Sequence, residues 1–330
     1  MPRTLPRISR RRALQGAAAG LVVFGLLLWW LVPFGEDRPG GRIVFSTGGR
    51  GGVYEDYGNL LQRAAADDLP DLDIDLRTSK GSKENVERVA AGRADFTIAA
   101  ADAVEQYKLS GRPGADRLRG CARLYDDYVH LVVAAGSGID KASDLKGKRV
   151  VVGPEGSGVR IIADRVLEAA GLDPDKDIEP FEVASQEGDD LLEKGDVDAF
   201  FWSGGLTTPF VKELSERTGI RLVPLGDVVG ALHARGGPSD YYRASVMPAD
   251  AYPAAQHGPV ETIAVANLLV TTDRTDDSLT EWLTRVVIDH RDGIGSSVHA
   301  AQVVDLRTAL YTDPLALHDG ARRYYRSVKP

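Results

Sequence analysis

The 330-residue chain contains one cysteine, Cys121, so no disulfide can form within it and its stability has to come from packing. With no cysteine near the end of the N-terminal apolar run, a lipoprotein anchor is excluded too. Set in LRGCARLY, Cys121 reads as a small buried hydrophobe rather than a nucleophile. Metal-ligand spacing is also missing: His130, His233, His257, His290, His299 and His318 form no HxxxH or HxxE pattern. No G-x-S-x-G occurs, and Ser157 sits in EGSGV with a glutamate where the first glycine would stand. Positive charge is scarce where it would matter for nucleic acid. Residues 1–41 hold six arginines against Glu36 and Asp37, a net +4, which leaves −12 of the chain's −8 total for the rest. Such a body lacks the basic footprint that phosphate backbones require, while local amides and one arginine still suffice for a small anion.

The N-terminus carries what the body lacks. Arg3, Arg7, Arg10, Arg11 and Arg12 precede residues 17–34, AAAGLVVFGLLLWWLVPF, eighteen residues without a charge. As a helix this run is about 27 Å long, just enough for a slightly thin hydrocarbon core. Basic residues before it and acidic ones after it place the N-terminus in the cytoplasm and the remainder outside, with the lipid bilayer as a partner. SRRRAL (residues 9–14) resembles a twin-arginine export signal, with Ala13 where a Phe is usual; a basic flank to a membrane span accounts for it equally well. Trp29 and Trp30 suit an interfacial belt, no clean small-x-small cleavage site follows, and residues 35–41 read as a linker. The expectation is an extracytoplasmic protein anchored at its N-terminus, or exported after signal cleavage.

From residue 42 strands and helices alternate. Residues 42–47, 73–79 and 95–100 read as strands, 53–69 and 83–92 as helices, and 118–125 and 128–136 as two further strands. The plan then repeats with strands at 147–153, 178–184, 196–202 and 220–225 and a helix at 159–171. Two successive α/β units of the same order suggest two similar lobes, not one larger sheet. Residues 263–272 form a strand that would return beside 128–136, and helices at 280–293 and 296–310 close the chain. Two long strands linking two lobes make a hinge, and a hinge between α/β lobes makes a cleft. The lobes are expected at residues 42–132 plus 265–330 and at 133–264.

The glycine-rich turns follow strand ends. STGGRGGVYEDYG (residues 46–58) has no Lys-Ser or Lys-Thr, so it is not a P-loop; counted from Gly49, a G-x-G-x-x-G frame ends on Tyr54. What remains is a loop with free N–H groups ahead of a helix's positive end, a place for a carboxylate, or simply a glycine-rich connection. RTSKGSKEN, PEGSGVR and WSGG occupy equivalent positions, and ligands of α/β sheets bind outside the carboxyl ends of strands.

Taken together, STGGRGGVYEDYG, TSKGSKENVERVAAGRADF, DLKGKRVVVGPEGSGVR, DAFFWSGG and HDGARRYY resemble the TAXI family of solute receptors for tripartite (TRAP) transporters, over about residues 42–326. The resemblance implies an α/β, two-lobed type II periplasmic-binding-protein fold with hinge strands. It also implies capture of a small organic acid or amino acid for TRAP membrane subunits, with no cofactor and no enzymatic activity. Carried over position by position, Thr47, Gly49, Gly51, Tyr54, Ser79, Ser82 and Asn85 would meet the ligand from the first lobe, and Ser157, Gly158 and Trp202 from the second. Ala100 and Ala101 depart from the Gln and Ser frequent in the family, and Arg50 adds a charge, so the solute's identity does not carry over.

Simpler roles stand beside these. Arg50 suits a ligand carboxylate or solvent, and Arg160, in the first turn of its helix, is a better-placed cation. Trp202 ends an apolar strand and suits the core as well as a cleft wall; Asn85 suits a helix brace. Asp102 is expected on the amides of the next helix's first turn. His130, in the hinge strand, reads as a packed or hydrogen-bonded residue. The carboxylate pairs Asp126 and Asp127, Asp189 and Asp190, and Asp276 and Asp277 read as turns and helix starts, so no catalytic constellation emerges. The alternative to a transport receptor is a membrane-anchored ligand-sensing ectodomain for a signalling partner.

Overall fold

The computed structural model describes residues 38–296 and 304–328. The expected membrane span, the basic tail and His299 lie outside the described residues, as do residues 297–303 of the helix expected at 296–310. Among the described residues no helix is long and apolar enough to cross a membrane.

The first run comprises β1 (Gly41–Ser46), α1 (Val53–Asp68), β2 (Leu72–Arg77), α2 (Ser82–Ala90), β3 (Phe96–Ala100), α3 (Ala101–Leu109) and β4 (Leu118–Ala134). The second comprises β5 (Arg149–Val151), α4 (Gly158–Ala169), β6 (Glu179–Phe181), α5 (Ser185–Lys194), β7 (Ala199–Gly204), α6 (Pro209–Arg217), β8 (Ile220–Leu222), α7 (Val229–Arg235) and β9 (Tyr242–Met247). A return strand β10 (Val260–Thr272) leads to α8 (Asp277–Asp289), α9 (Arg291–Gly295), α10 (Leu306–Ala309) and α11 (Asp319–Ser327). Local chemistry accounts for the boundaries. In α1, Tyr57, Leu61, Ala64 and Ala65 form a buried stripe at helical spacing. The Asp276 side chain caps α8 by accepting the Leu279 amide at 2.9 Å. Gly320, at the head of α11, sits so close to α8 that a Cβ there would lie 2.1 Å from the Asp277 carbonyl oxygen.

Hydrogen bonding runs through both units in the order β2-β1-β3-β10-β4-β7-β5-β6. β1 lies parallel to β2 and β3, while β10 is antiparallel to β3 and β4, with Ala264 opposite Tyr128. β4 is antiparallel to β7, pairing His130 with Trp202, and β7 continues parallel to β5. The sheet is therefore continuous, contrary to the expectation of two separate ones, because β4 belongs to both runs. The break expected between residues 125 and 128 does not occur either. Neighbouring residues of a strand face opposite sides, so Asp126 reaches Arg123 at 2.7 Å and also meets Arg243, while Asp127 turns inward and is 6% exposed. An acidic pair that reads as a turn is thus one outward ion pair and one buried carboxyl.

Three apolar clusters hold the sheet. Ile43, Phe45, Leu61, Phe96 and Leu283 pack on the β1 side, and Val132, Phe200, Val211 and Tyr252 on the β7 side. A third joins Val86, Ala100 and Val104 to Val150, Ile162 and Val166, across the line between the two runs. Each such side chain contributes about 1.5–3 kcal/mol when fully buried, so this shared cluster ties the two runs together strongly.

Candidate functional site

The loops at the strand ends are specified by where their N–H groups go. Thr47 extends the β1–β2 ladder by donating its amide to the Arg77 carbonyl at 2.8 Å. Gly51 donates to Glu55 Oε2 at 2.7 Å and Gly52 to the Gly49 carbonyl at 3.1 Å. That leaves the amides of Gly48, Gly49 and Arg50 without an acceptor among the described residues. The next loop folds onto this one: the Ser79 amide donates to the Gly48 carbonyl, and Ser79 Oγ donates to the Thr47 carbonyl at 2.8 Å.

Tyr54 joins these loops to the sheet. Its hydroxyl donates to Asn267 Oδ1, an acceptor only, at 2.5 Å, so Ser82 Oγ must donate in its 2.9 Å contact with Tyr54. Ser82 Oγ in turn accepts the Ala100 amide at 3.1 Å. Burial, together with the charge of Asp127, raises the Tyr54 phenol well above its ordinary value, so it stays a neutral donor.

The opposite wall is built from α4, α5 and β7. Ser157 caps α4 by accepting the Arg160 amide at 3.1 Å. Trp202 stands edge-on to Phe210, with ring centroids 5.0 Å apart, and donates its indole N–H to Thr208 Oγ1 at 2.9 Å. Tyr252 Oη accepts the Thr208 amide and lies 2.9 Å from His130 Nε2. Because His130 Nδ1 faces the Tyr128 carbonyl, it must carry the proton, and Nε2 accepts from Tyr252. Burial pushes His130 down to about 4, in keeping with that neutral tautomer.

The walls meet at glycines. Gly81 has φ +122°, a conformation that favours glycine, and a Cβ there would lie 3.4 Å from the Gly158 amide nitrogen. Nearby, Asp102 of α3 accepts Arg165 Nη1 of α4 and Tyr242 Oη of β9, each at 2.6 Å. This buried bridge spans the two runs; Asp102 was expected to cap its own helix instead. The arrangement encloses a cavity of about 340 Å³.

Four helices present their first residues to that cavity: α1 through Val53 and Tyr54, α2 through Ser82, α4 through Gly158 and Val159, and α5 through Ser185 and Gln186. Each helix start carries unpaired N–H groups and a partial positive charge. Arg50 and Lys80 line it as well. On the sheet side stands Asp127, whose Oδ1 has no hydrogen-bond partner among the described residues.

This geometry can be set beside known proteins. A model of the NMT1-like family matches residues 45–328. The chain belongs to the NMT1-like family. A solved structure from Bordetella bronchiseptica RB50 is 16% identical with a TM-score of 0.51, covering 88% of this chain and 90% of that one. A Listeria monocytogenes protein provisionally described as an L-cystine ABC transporter is 14% identical with a TM-score of 0.50, over 80% of this chain and 98% of that one. The periplasmic aliphatic sulphonate binding protein SsuA from Escherichia coli is 15% identical with a TM-score of 0.48, over 88% and 84%. The likeness to the Bordetella and Listeria structures is one of fold alone, and identities this low say nothing of the ligand.

In this NMT1-like chain, Gly49, Tyr54, Ser79, Ser82, Ser157, Gly158 and Trp202 line the cavity, as do Arg50 and Ala100. Thr47, Gly51 and Asn85 do not. Thr47 is buried under Gly58, where a Cβ would lie 2.7 Å from its methyl. Gly51 spends its amide on Glu55, and Asn85 spends its amide group on Ser46 Oγ and the Ile98 carbonyl. Arg160 also falls away, because Asp164, Asp175 and Glu182 surround its guanidinium. Asp127, Ser203 and Gln186 line the cavity unannounced. The signal for Asp127 in the sequence is an acidic pair between the apolar runs of a long strand.

Proposed function

We propose that the protein is the extracytoplasmic solute receptor of a TRAP-type secondary transporter, of the TAXI kind, and that it captures a small carboxylate-bearing solute. An amino acid such as glutamate, or a dicarboxylate, fits this description. The observation that carries the reading is the convergence of four helix starts on one small cavity. N–H groups and helix dipoles there favour an anion without a dedicated ion pair, and the volume lies at the small end of ligand pockets. The residues 42–132 plus 265–330 would form one lobe and 133–264 the other, moving about β4 and β10. Closing would form the Asp102–Arg165 bridge and bring Gly81 onto Gly158; the membrane subunits would recognise that form. Residues 17–34 would anchor the receptor to the bilayer. On this reading the protein has no enzymatic activity and needs no cofactor.

The test is a heat-unfolding screen of the full chain against acidic amino acids and dicarboxylates. A solute at a hundred times its Kd adds about 2.7 kcal/mol, a rise of several degrees in Tm. If no acid shifts the transition at millimolar concentration, capture of these solutes is wrong.

A further inference from the structure

We propose that Asp127 is a specificity-determining residue of the cavity, receiving a protonated amine of the ligand while the helix starts opposite it receive a carboxylate. This rests on the carboxylate-capture reading above and adds to it a second, oppositely charged recognition point. The placement follows from register. Side chains of Tyr125, Asp127 and Val129 share one face of β4; Asn267 pairs with Tyr125 and Ser203 with Val129, so both stand on that face. Asp127 and Ser203 line the cavity, and Asp127 Oδ1 and Ser203 Oγ are both buried without a hydrogen-bond partner. Unsatisfied buried acceptors are costly and uncommon in folded proteins. Two of them at the wall of one cavity suit a group that only donates, as an ammonium does.

Among the described residues no cation pairs with Asp127. The neighbouring Asp126 holds Arg123 and Arg243 on the other face, and Arg165 is held by Asp102. Arg50 and Lys80 line the same cavity, but neither forms an ion pair with Asp127 among the described residues. Asp102 adds a like charge, and Tyr54 and Tyr125 nearby are neutral phenols. The Asn267 amide is a weak counterweight, since its nitrogen completes no hydrogen bond. Burial first, and then Asp102, push Asp127 up to about 7. Arrival of an ammonium favours the carboxylate and expels a proton; arrival of a second carboxylate there would instead favour the protonated acid. The two kinds of ligand therefore give opposite pH dependence.

The experiment is calorimetric titration of the full chain with L-glutamate and with glutarate, which share both carboxylates and differ in the amine. We expect L-glutamate to bind about thirtyfold more tightly, as a charge-assisted hydrogen bond implies. Its affinity should fall as pH drops from 8 to 6. Buffers of different ionisation enthalpy should reveal release of about half a proton at pH 7. Asp127→Asn should bring the two ligands within about threefold and abolish the release. If both bind wild type alike, or L-glutamate tightens as pH falls, the role of Asp127 is overturned while carboxylate capture stands. If neither binds, the capture reading falls and takes this one with it. The wild-type pH series and proton count decide the matter even if the variant does not fold.

Discussion

The two walls of the cavity use the same strand-loop-helix parts and commit them differently. On the β1 side, Ser79, Ser82 and Tyr54 spend their hydroxyls on one another, on the backbone and on Asn267, while three loop amides and two cations stay uncommitted among the described residues. On the β7 side Arg160 is enclosed by acids and Arg165 is held by Asp102, and the surface offered is chiefly Val159, Ile162 and Trp202 with two helix starts, Ser203 lying at its edge with β4. A wall whose side chains are locked can aim its amides; a wall of apolar groups excludes water. The difference points to recognition on one side and cover on the other.

The largest expected effect comes from cutting what joins them. Arg165→Ala leaves Asp102, 2% exposed at its side chain, without its cation. Such loss of one partner of a buried pair costs about 3–5 kcal/mol, measured as a drop in the urea midpoint. The double variant with Asp102→Ala should recover much of it; failure to recover would mean that Arg165 stabilises by packing alone.

Acid should loosen the covering wall, because His130 anchors Tyr252 and through Thr208 holds Trp202. His130 falls from 6.5 to about 4 on folding, so the unfolded chain binds the extra proton between those values. Its contribution is complete above about pH 6.5 and is lost as pH falls towards 4, amounting to roughly 3 kcal/mol. Asp127 acts in the opposite sense, since its raised pKa favours the folded state as pH falls below about 7. Comparing wild type with His130→Asn across this range isolates the histidine. A variant with the same pH slope as wild type would refute the assignment.

The smallest effects separate the two arginines. Arg50→Ala, at an exposed loop, should change stability by under about 0.5 kcal/mol yet weaken acid binding several-fold, more so at low salt. Arg160→Ala should do the reverse, costing about 1 kcal/mol of stability with affinity unchanged. Equal effects on affinity would dissolve the distinction between the walls.

Much of this is legible in the sequence. The alternation of β-branched runs with helical stripes located β1 to β3 and β5 to β7, and the glycine turns marked strand ends that do line a cavity. Arg50 and Trp202 read as residues with two roles, and Trp202 takes both, packed in the core and lining the cavity. Thr47 and Asn85 lie behind the cavity lining, because short polar residues brace loops as readily as they meet ligands. β4 was broken too early, since an acidic pair looks the same in a turn and in a strand with one face outward.

By itself the sequence determined which segments would be strands and helices, and where the chain could leave backbone N–H groups bare, because those depend on neighbours within a few residues. The tertiary structure alone decided that Asp127, Ser203, Asn267 and Tyr54 share one place. The meeting of the three strand residues depends on the register of β4 against β7 and β10, and a shift of β4 by one residue would turn Asp127 to the other face.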